Sequence, residues 1–239
     1  MNIARRPRLS TRTKRIASAI ALACVAVAAI VVYRVHAATD VSRVPPIALP
    51  DGVELRTGDI IIAGGVSMHS RVVMALTDDN KYSHVGLIEN TPAGLFVIHA
   101  APKGAGDGGA GDRVARIPLA MFLADRGYVA IKVVRLDGDA AGPSRLALDA
   151  CAFASACVDR AVPFDNDFDI GESRRMYCSE LVYLAYQHAG HDWPDTIVRS
   201  VSTMLVDGPV ILPDAFTQCD ALTTVWTHSA EHSTEKEPS

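Results

Sequence analysis

Acidic side chains are absent from the first 38 residues of this 239-residue chain, a segment that carries seven basic side chains. The whole chain has a net charge of −4 at pH 7, so the remainder without those seven positive charges carries −11. A domain with this acidic balance repels the phosphate backbone, which argues against nucleic acid as a partner. The sequence also shows no internal repeat, which excludes repeat architectures.

Cysteine is scarce, with five in the chain, and four of them lie beyond the N-terminal segment: Cys151, Cys157, Cys178 and Cys219. An oxidising compartment would allow a disulfide among them. A catalytic Cys178 would have to stay free, which leaves Cys151, Cys157 and Cys219 as candidates. The sequence does not determine which of these would pair.

The basic N-terminal segment leads into an uncharged run of 18 residues at 16–33. Small residues at Val35 and Ala37 have the spacing that signal cleavage needs, which predicts a signal peptide over 1–38. The apolar core of a cleaved signal is about 7–15 residues long, whereas a membrane span needs about 17–25, so a retained anchor is the alternative. Both interpretations keep the basic end in the cytoplasm. Both therefore predict a domain in the cell envelope, either periplasmic or anchored in the cytoplasmic membrane and facing outward.

Three further segments follow: a proline-containing linker at 39–52, a folded domain at 53–226, and a polar tail at 227–239 that we expect to be disordered. Strand-like patterns dominate the first part of the domain and helix-like patterns the second, which predicts an α+β domain with an antiparallel sheet. The predicted strands are 58–63, 84–89, 95–99, 128–136 and 222–226. The predicted helices are 70–76, a segment opened by Pro143, 178–189 and 194–205, and a glycine-rich loop is predicted at 102–112.

The sequence places a cysteine, Cys178, where an amphipathic helix should begin. Free backbone N–H groups and the helix dipole stabilise a thiolate there, so we expect a thiol pKa below the free value of about 8.5. His84 begins a predicted strand and His99 lies on the next one. Across the hairpin the two histidines are expected to be neighbours, so that His99 orients His84 as a base for the thiol. A small core cysteine and two ordinary strand histidines are the structural alternative.

Five blocks of sequence carry a family resemblance: Thr57-Gly58-Asp59-Ile60-Ile61, Tyr82-Ser83-His84-Val85-Gly86, Val97-Ile98-His99-Ala100, Pro163-Phe164-Asp165 and Tyr177-Cys178-Ser179-Glu180-Leu181-Val182. In order and spacing they resemble the circularly permuted papain-like amidases of the YaeF/YiiX group, within the NlpC-type superfamily, over residues 53–226. The resemblance implies a papain-like antiparallel sheet packed against helices. It also implies that Cys178 is the nucleophile, His84 the base and His99 the third polar residue. That third residue is often Glu in this group, and histidine fills it in many ordinary NlpC-type enzymes.

The resemblance implies a thiol-dependent hydrolase or acyltransferase that cleaves an amide or ester bond. The implied substrate is either a cell-wall peptide or a lipid-linked acyl group, and residues 16–33 would hold an uncleaved chain to the membrane. The alternative function is a non-catalytic lipid- or peptide-binding module on the same fold. Glu180, in the first turn of the predicted helix, is interpreted as a favourable partner of the helix dipole.

Three other motifs are weaker indications of function. Residues 104–109 match G-x-G-x-x-G, but no predicted helix follows them to bind a pyrophosphate. Residues 165–169 begin like an EF-hand loop, but Ile170 replaces the required glycine. His188 lies about three helical turns from Cys178, too far for a shared zinc site with His84. We therefore expect no cofactor and no metal.

Overall fold

Six antiparallel strands form the main sheet of the computed structural model, which describes residues 46–103, 111–125, 127–138, 142–171, 174–203 and 206–229. The strands lie in the order β4-β3-β2-β1-β5-β8. Their bounds are β1 (Ile60–Gly65), β2 (His84–Thr91), β3 (Gly94–Ala101), β4 (Arg113–Pro118), β5 (Tyr128–Leu136) and β8 (Leu222–Ser229). The predicted antiparallel α+β class is confirmed.

The described residues contain four helices: α1 (Met68–Met74), α2 (Leu119–Leu123), α3 (Arg145–Asp159) and α4 (Cys178–His188). Strands β6 (Arg199–Ser202) and β7 (Asp207–Val210) pair as a separate hairpin. Single turns of 3₁₀ helix lie at Asp195–Ile197 and Pro213–Phe216. Ser144 begins α3 by accepting a hydrogen bond from the backbone N–H of Ala147, one residue after the proline that the sequence predicts as its start.

Both faces of the sheet are covered, which explains why its central strand is apolar throughout rather than alternating. Ile60 and Ile62 of β1 point to the side of α3 and α4, while Ile61 and Ala63 point to the opposite side, towards α2. Antiparallel pairing joins β1 to β2 on one side and to β5 on the other. A rigid, fully buried centre of the sheet therefore supports the start of β2, where His84 lies.

Three predictions differ from the structure. Within the predicted helix at 194–205, the described residues 194–203 form a 3₁₀ turn and strand β6 instead of an α-helix, because β-branched residues such as Val198 and Val201 favour an extended backbone. Strand β4 and the short helix α2 were not predicted. The tail does not begin at residue 227, since β8 continues to Ser229 and pairs with the first half of β5.

The predicted signal or anchor segment at 1–38 lies outside the described residues, as do 230–239 and most of the glycine-rich loop. Of the linker, residues 46–52 are described, and Ile47 is buried with its N–H bonded to the carbonyl oxygen of Leu123. No helix among the described residues is long and apolar enough to cross a membrane.

Candidate active site

Cys178 is the first residue of α4, so its thiol lies at a helix start as the sequence predicts. The preceding residue, Tyr177, is extended (φ −91°, ψ 172°) and supplies no side-chain cap. Two backbone hydrogen bonds fix the approach to the helix, from Asp165 to the carbonyl of Met176 (3.2 Å) and from Met176 to that of Pro163 (3.0 Å). The cysteine is 8 % exposed. Its thiol is therefore held by backbone structure at the edge of the interior.

His84 and His99 lie side by side on two paired strands. His84 is the first residue of β2, His99 lies on β3, and Nε2 of His84 is 2.8 Å from Nδ1 of His99. Both residues are buried, His99 completely. The hairpin brings together two residues that are fifteen positions apart. The other ring nitrogen of His84, Nδ1, is therefore available to contact a group other than His99.

Gly86 permits this close approach of the two strands, a role that the sequence analysis did not assign. A Cβ atom at this position would lie 2.8 Å from Cγ1 of Val97, 2.9 Å from the carbonyl oxygen of Ile98 and 3.1 Å from Cβ of His99. Real Cβ atoms do not tolerate the first two distances, so any other residue would push β3 away. The glycine two residues after His84 therefore fixes the spacing of the histidine pair.

Two aromatic rings confine the imidazole of His84. The ring of Tyr128 stacks on it with centroids 6.2 Å apart and planes at 12°, and the ring of Phe122 lies 6.1 Å away at 24°. Phe122 also meets the ring of His99 edge-on at 5.7 Å. Sequence reasoning missed both aromatic residues in this role, because neither belongs to a recognisable motif.

Burial raises the pKa of the Cys178 thiol, and this is the largest influence on it. The side chain of Ser179 and the backbone N–H groups of Val85, Ser179 and Cys178 itself act in the opposite direction and lower the pKa. The expectation of a thiol pKa below the free value is therefore wrong for this structure. The helix start contributes as predicted, but desolvation outweighs it.

Burial also lowers the pKa of His84 well below its ordinary value, with smaller contributions from His99 and then from His69 on α1. A lowered imidazole pKa and a raised thiol pKa both favour uncharged groups. Burial therefore opposes the formation of a thiolate–imidazolium pair by these two side chains.

The hydroxyl of Tyr128 is kept protonated in the same region. Burial raises its pKa well above the ordinary value, and Asp125 and Cys178 act in the same direction. A neutral phenol is a hydrogen-bond donor. Tyr128 therefore offers a donor beside the thiol.

A cavity of about 530 Å³ joins these groups, and Cys178, His84 and Tyr128 all contribute to its wall. The wall is mainly apolar, and many of its apolar side chains come from α1 and the residues after it, from the loop before α4, and from β7 with the residues on either side of it: Val72, Val73, Leu76, Phe164, Phe168, Val206, Val210, Ile211 and Leu212. The polar side chains Ser67, His69, Ser70 and Asp125 lie on the wall formed by α1 with its N-cap and by the turn before β5. His99 is not one of the residues that line the cavity, but it contacts His84, which is.

The model of the permuted papain-like amidases, YaeF/YiiX, of the C92 family, matches residues 54–226. The chain belongs to this family. It is thus a papain-like amidase, a hydrolase of the cysteine-peptidase type, and its sheet packed against helices is the permuted papain-like fold. The resemblance drawn from the five sequence blocks is confirmed, over nearly the same residues.

A solved structure from Escherichia coli O157:H7, described as the metalloprotein yiiX, is similar to this papain-like amidase. The two share 22 % sequence identity at a TM-score of 0.57, covering 73 % of this chain and 98 % of that chain. At this identity the likeness shows the fold. The comparison with curated proteins gave no significant match.

The G-x-G-x-x-G segment at 104–109 lies outside the described residues, whereas Asn166 and Phe168 of the 165–169 segment line the cavity. In the part of the chain that the structure describes, no three His, Cys, Asp or Glu side chains are grouped so that they could hold a metal ion. His188 packs against Phe153 near the end of α4. Asp59 accepts a hydrogen bond from the backbone of Arg56 and pairs with Arg135. The four cysteines of the domain are all free and buried.

Proposed function

We propose that this papain-like amidase is an exported cysteine hydrolase or acyltransferase that works through a triad of Cys178, His84 and His99 on substrates with an apolar acyl chain. The observation that carries the proposal is the shared cavity, in which a cysteine at a helix start and a confined histidine meet a wall of mainly apolar side chains. Such a wall suits the acyl chain of an amide or ester better than the polar stem of a cell-wall peptide.

The proposed reaction begins with the thiol of Cys178, which attacks the carbonyl carbon while Nδ1 of His84 takes its proton. His99 supports this tautomer by accepting a hydrogen bond from Nε2–H of His84 over 2.8 Å. The backbone N–H of Cys178 and the hydroxyl of Tyr128 are the proposed donors to the oxyanion. The imidazolium then protonates the leaving amine or alcohol. Water, or an acceptor alcohol or amine, releases the acyl group from the sulfur.

A series of p-nitrophenyl esters with acetyl, butyryl and octanoyl chains tests the substrate class. Each methylene buried on binding contributes about 0.8 kcal/mol, so we expect kcat/KM to rise severalfold per methylene until the cavity is filled. Val72, on the cavity wall and 39 % exposed, and Leu148, on α3 and 46 % exposed, provide a matched pair of variants. Val72→Ser should weaken the preference for octanoyl over acetyl, and Leu148→Ser should leave it unchanged.

Equal rates along the ester series, together with faster cleavage of a peptidoglycan stem peptide, would overturn the acyl-chain assignment. Saturable binding of octanoate without ester turnover and without an acyl adduct on Cys178 would instead support the non-catalytic binding module.

Export of the domain is supported by the uncharged run at 16–33 behind a basic segment. We expect protease added to spheroplasts to digest the domain while a cytoplasmic marker survives. A cleaved signal should give a soluble product beginning near Ala38, and a retained anchor should keep the full chain in membranes through a carbonate wash. Protection of the domain in intact spheroplasts would place it in the cytoplasm and contradict both versions.

A further inference from the structure

Glu180 takes no part in the proposed reaction, although it is completely buried only two residues after Cys178. Its Oε1 accepts a hydrogen bond of 2.8 Å from the backbone N–H of Gly171. Its Oε2 is buried and makes no hydrogen bond of ordinary geometry with the described residues, although the backbone N–H of Tyr177 is near enough to lower the pKa of the carboxyl. A buried carboxyl with one oxygen unsatisfied is expensive, because it has lost hydration without full replacement. A side chain with this energetic cost is expected to have a compensating role in the structure or function of the protein.

The segment that Glu180 holds, the 165–171 loop, forms part of the substrate cavity. Asp165 organises the loop, since its buried carboxylate accepts hydrogen bonds from the backbone N–H groups of Asp167 (3.2 Å) and Asp169 (2.8 Å). Phe168 adopts the left-handed conformation (φ 60°), and its ring, like the side chain of Asn166, lines the cavity. The loop is thus a shaped wall, and Glu180 ties its last residue to the helix that carries Cys178.

The charges around Glu180 are mainly negative. Burial raises its pKa to about 7, Asp165 and Asp169 act in the same direction, and the backbone N–H groups of Gly171 and Tyr177 oppose them. Arg175 lies beside two carboxylates of the loop, with Nε 3.7 Å from Asp165 and Nη1 3.1 Å from Asp167. Ionised Glu180 would add a further negative charge beside Asp165 and Asp169.

We propose that Glu180 is a positioning residue whose bound proton keeps the 165–171 loop closed against the start of α4, so that loss of the proton loosens the cavity wall and weakens substrate binding. The part of this proposal that concerns substrate rests on the proposed function. The part that concerns the loop does not.

The direction of the effect follows from linkage. In an open loop Glu180 would be hydrated and its pKa would return towards 4.5, whereas in the closed loop it is about 7. The stabilisation of the closed loop is therefore complete below pH 4.5 and is lost as the pH rises through about 7. Between pH 4.5 and about 7 the open loop has released the proton of Glu180 and the closed loop retains it. Each pH unit in this range therefore shifts the equilibrium between closed and open loop towards the open loop, by up to about tenfold.

Amide hydrogen exchange of the peptide spanning 165–177, measured by mass spectrometry at about pH 6 and about pH 8, tests the loop directly. After correction for the intrinsic exchange rate, we expect protection in the wild type to fall about tenfold at the higher pH. Glu180→Gln mimics the protonated carboxyl and should keep its protection at both pH values. Glu54→Gln, an exposed position with the same chemical change, should behave like the wild type.

The second readout is ester hydrolysis over the same pH range. We expect KM for the octanoyl ester to rise at the higher pH in the wild type but not in Glu180→Gln, with kcat changing less than KM. If Glu180 had only a structural role, Glu180→Gln would lower the stability of the protein at every pH but would leave the pH dependence of KM unchanged. Identical pH dependence of loop protection in Glu180→Gln and in the wild type would overturn the proposal.

Asp169→Asn supplies a second variant in case Glu180→Gln does not fold. It removes one of the negative charges that raise the pKa of Glu180, so this pKa should fall in the closed loop, and the midpoint of the loss of protection should shift to lower pH than in the wild type. An unshifted midpoint would contradict the proposed coupling. Complete absence of ester hydrolysis in the wild type would count against the proposed function, and the exchange result would still decide the role of Glu180.

Discussion

Replacing Cys178 with alanine is expected to lower kcat for the octanoyl ester by about 10⁴-fold or more, the loss typical of a removed nucleophile. The sulfur is the atom proposed to form the acyl-enzyme, and no other cysteine is among the described residues that line the cavity. The measurement is steady-state hydrolysis together with intact mass spectrometry, which should detect an octanoyl adduct on the wild type alone.

Cys219 offers a matched control, because it is also free and has the same 8 % exposure as Cys178. Cys219→Ala should retain both turnover and the adduct. If Cys178→Ala hydrolysed the ester at the wild-type rate, or if the adduct mapped to another residue, the assignment of the nucleophile would be wrong.

Replacing His84 with alanine is expected to lower kcat/KM by about 10³-fold, within the range of 10² to 10⁴ for a lost general base. The space left by the side chain borders the rings of Tyr128 and Phe122 and the substrate cavity, so added imidazole should restore part of the activity. His99→Gln should cost less, about tenfold, because glutamine can still accept the hydrogen bond from His84. Wild-type rates in His84→Ala would contradict its role as the base.

The lowered pKa of His84 also makes the stability of the protein depend on pH. Burial lowers the pKa of His84 well below the value it has in the unfolded chain. At pH values between these two pKa values, His84 binds a proton in the unfolded chain but not in the folded protein. The free energy of unfolding therefore falls as the pH drops below about 6.5. His84→Ala should flatten this part of the profile, as measured by urea unfolding at several pH values. An unchanged slope would indicate that the pKa of His84 is the same in the folded protein as in the unfolded chain.

The sequence was most informative where a local pattern alone determines the structure. The apolar run Ile60-Ile61-Ile62-Ala63 predicted a buried strand, and the turn between β2 and β3 sets the register that brings His84 to His99. The helix start at Cys178 was equally local. Each of these features depends on neighbouring residues and on little else.

Features that depend on distant parts of the chain were not predictable. The confinement of His84 by Phe122 and Tyr128 needs the path of α2 and β5, which no short motif encodes. The raised pKa of the Cys178 thiol likewise depends on the depth of burial, a property of the complete fold. The apparent helix at 194–205 was wrong because pairing with β7 decides the conformation of that segment.

The two halves of the proposed site arise from chain segments of very different separation. The histidine pair belongs to one hairpin with its partners fifteen residues apart, whereas the nucleophile enters only after β5, α3 and the loop that follows them. Contacts of low sequence separation form early in folding, and those of high separation form late. As the chain emerges during synthesis, the histidine pair is therefore assembled first, and the sulfur meets it only when α4 docks. The permuted order thus makes the appearance of reactivity a report that the segments from β5 to α4 have joined the hairpin.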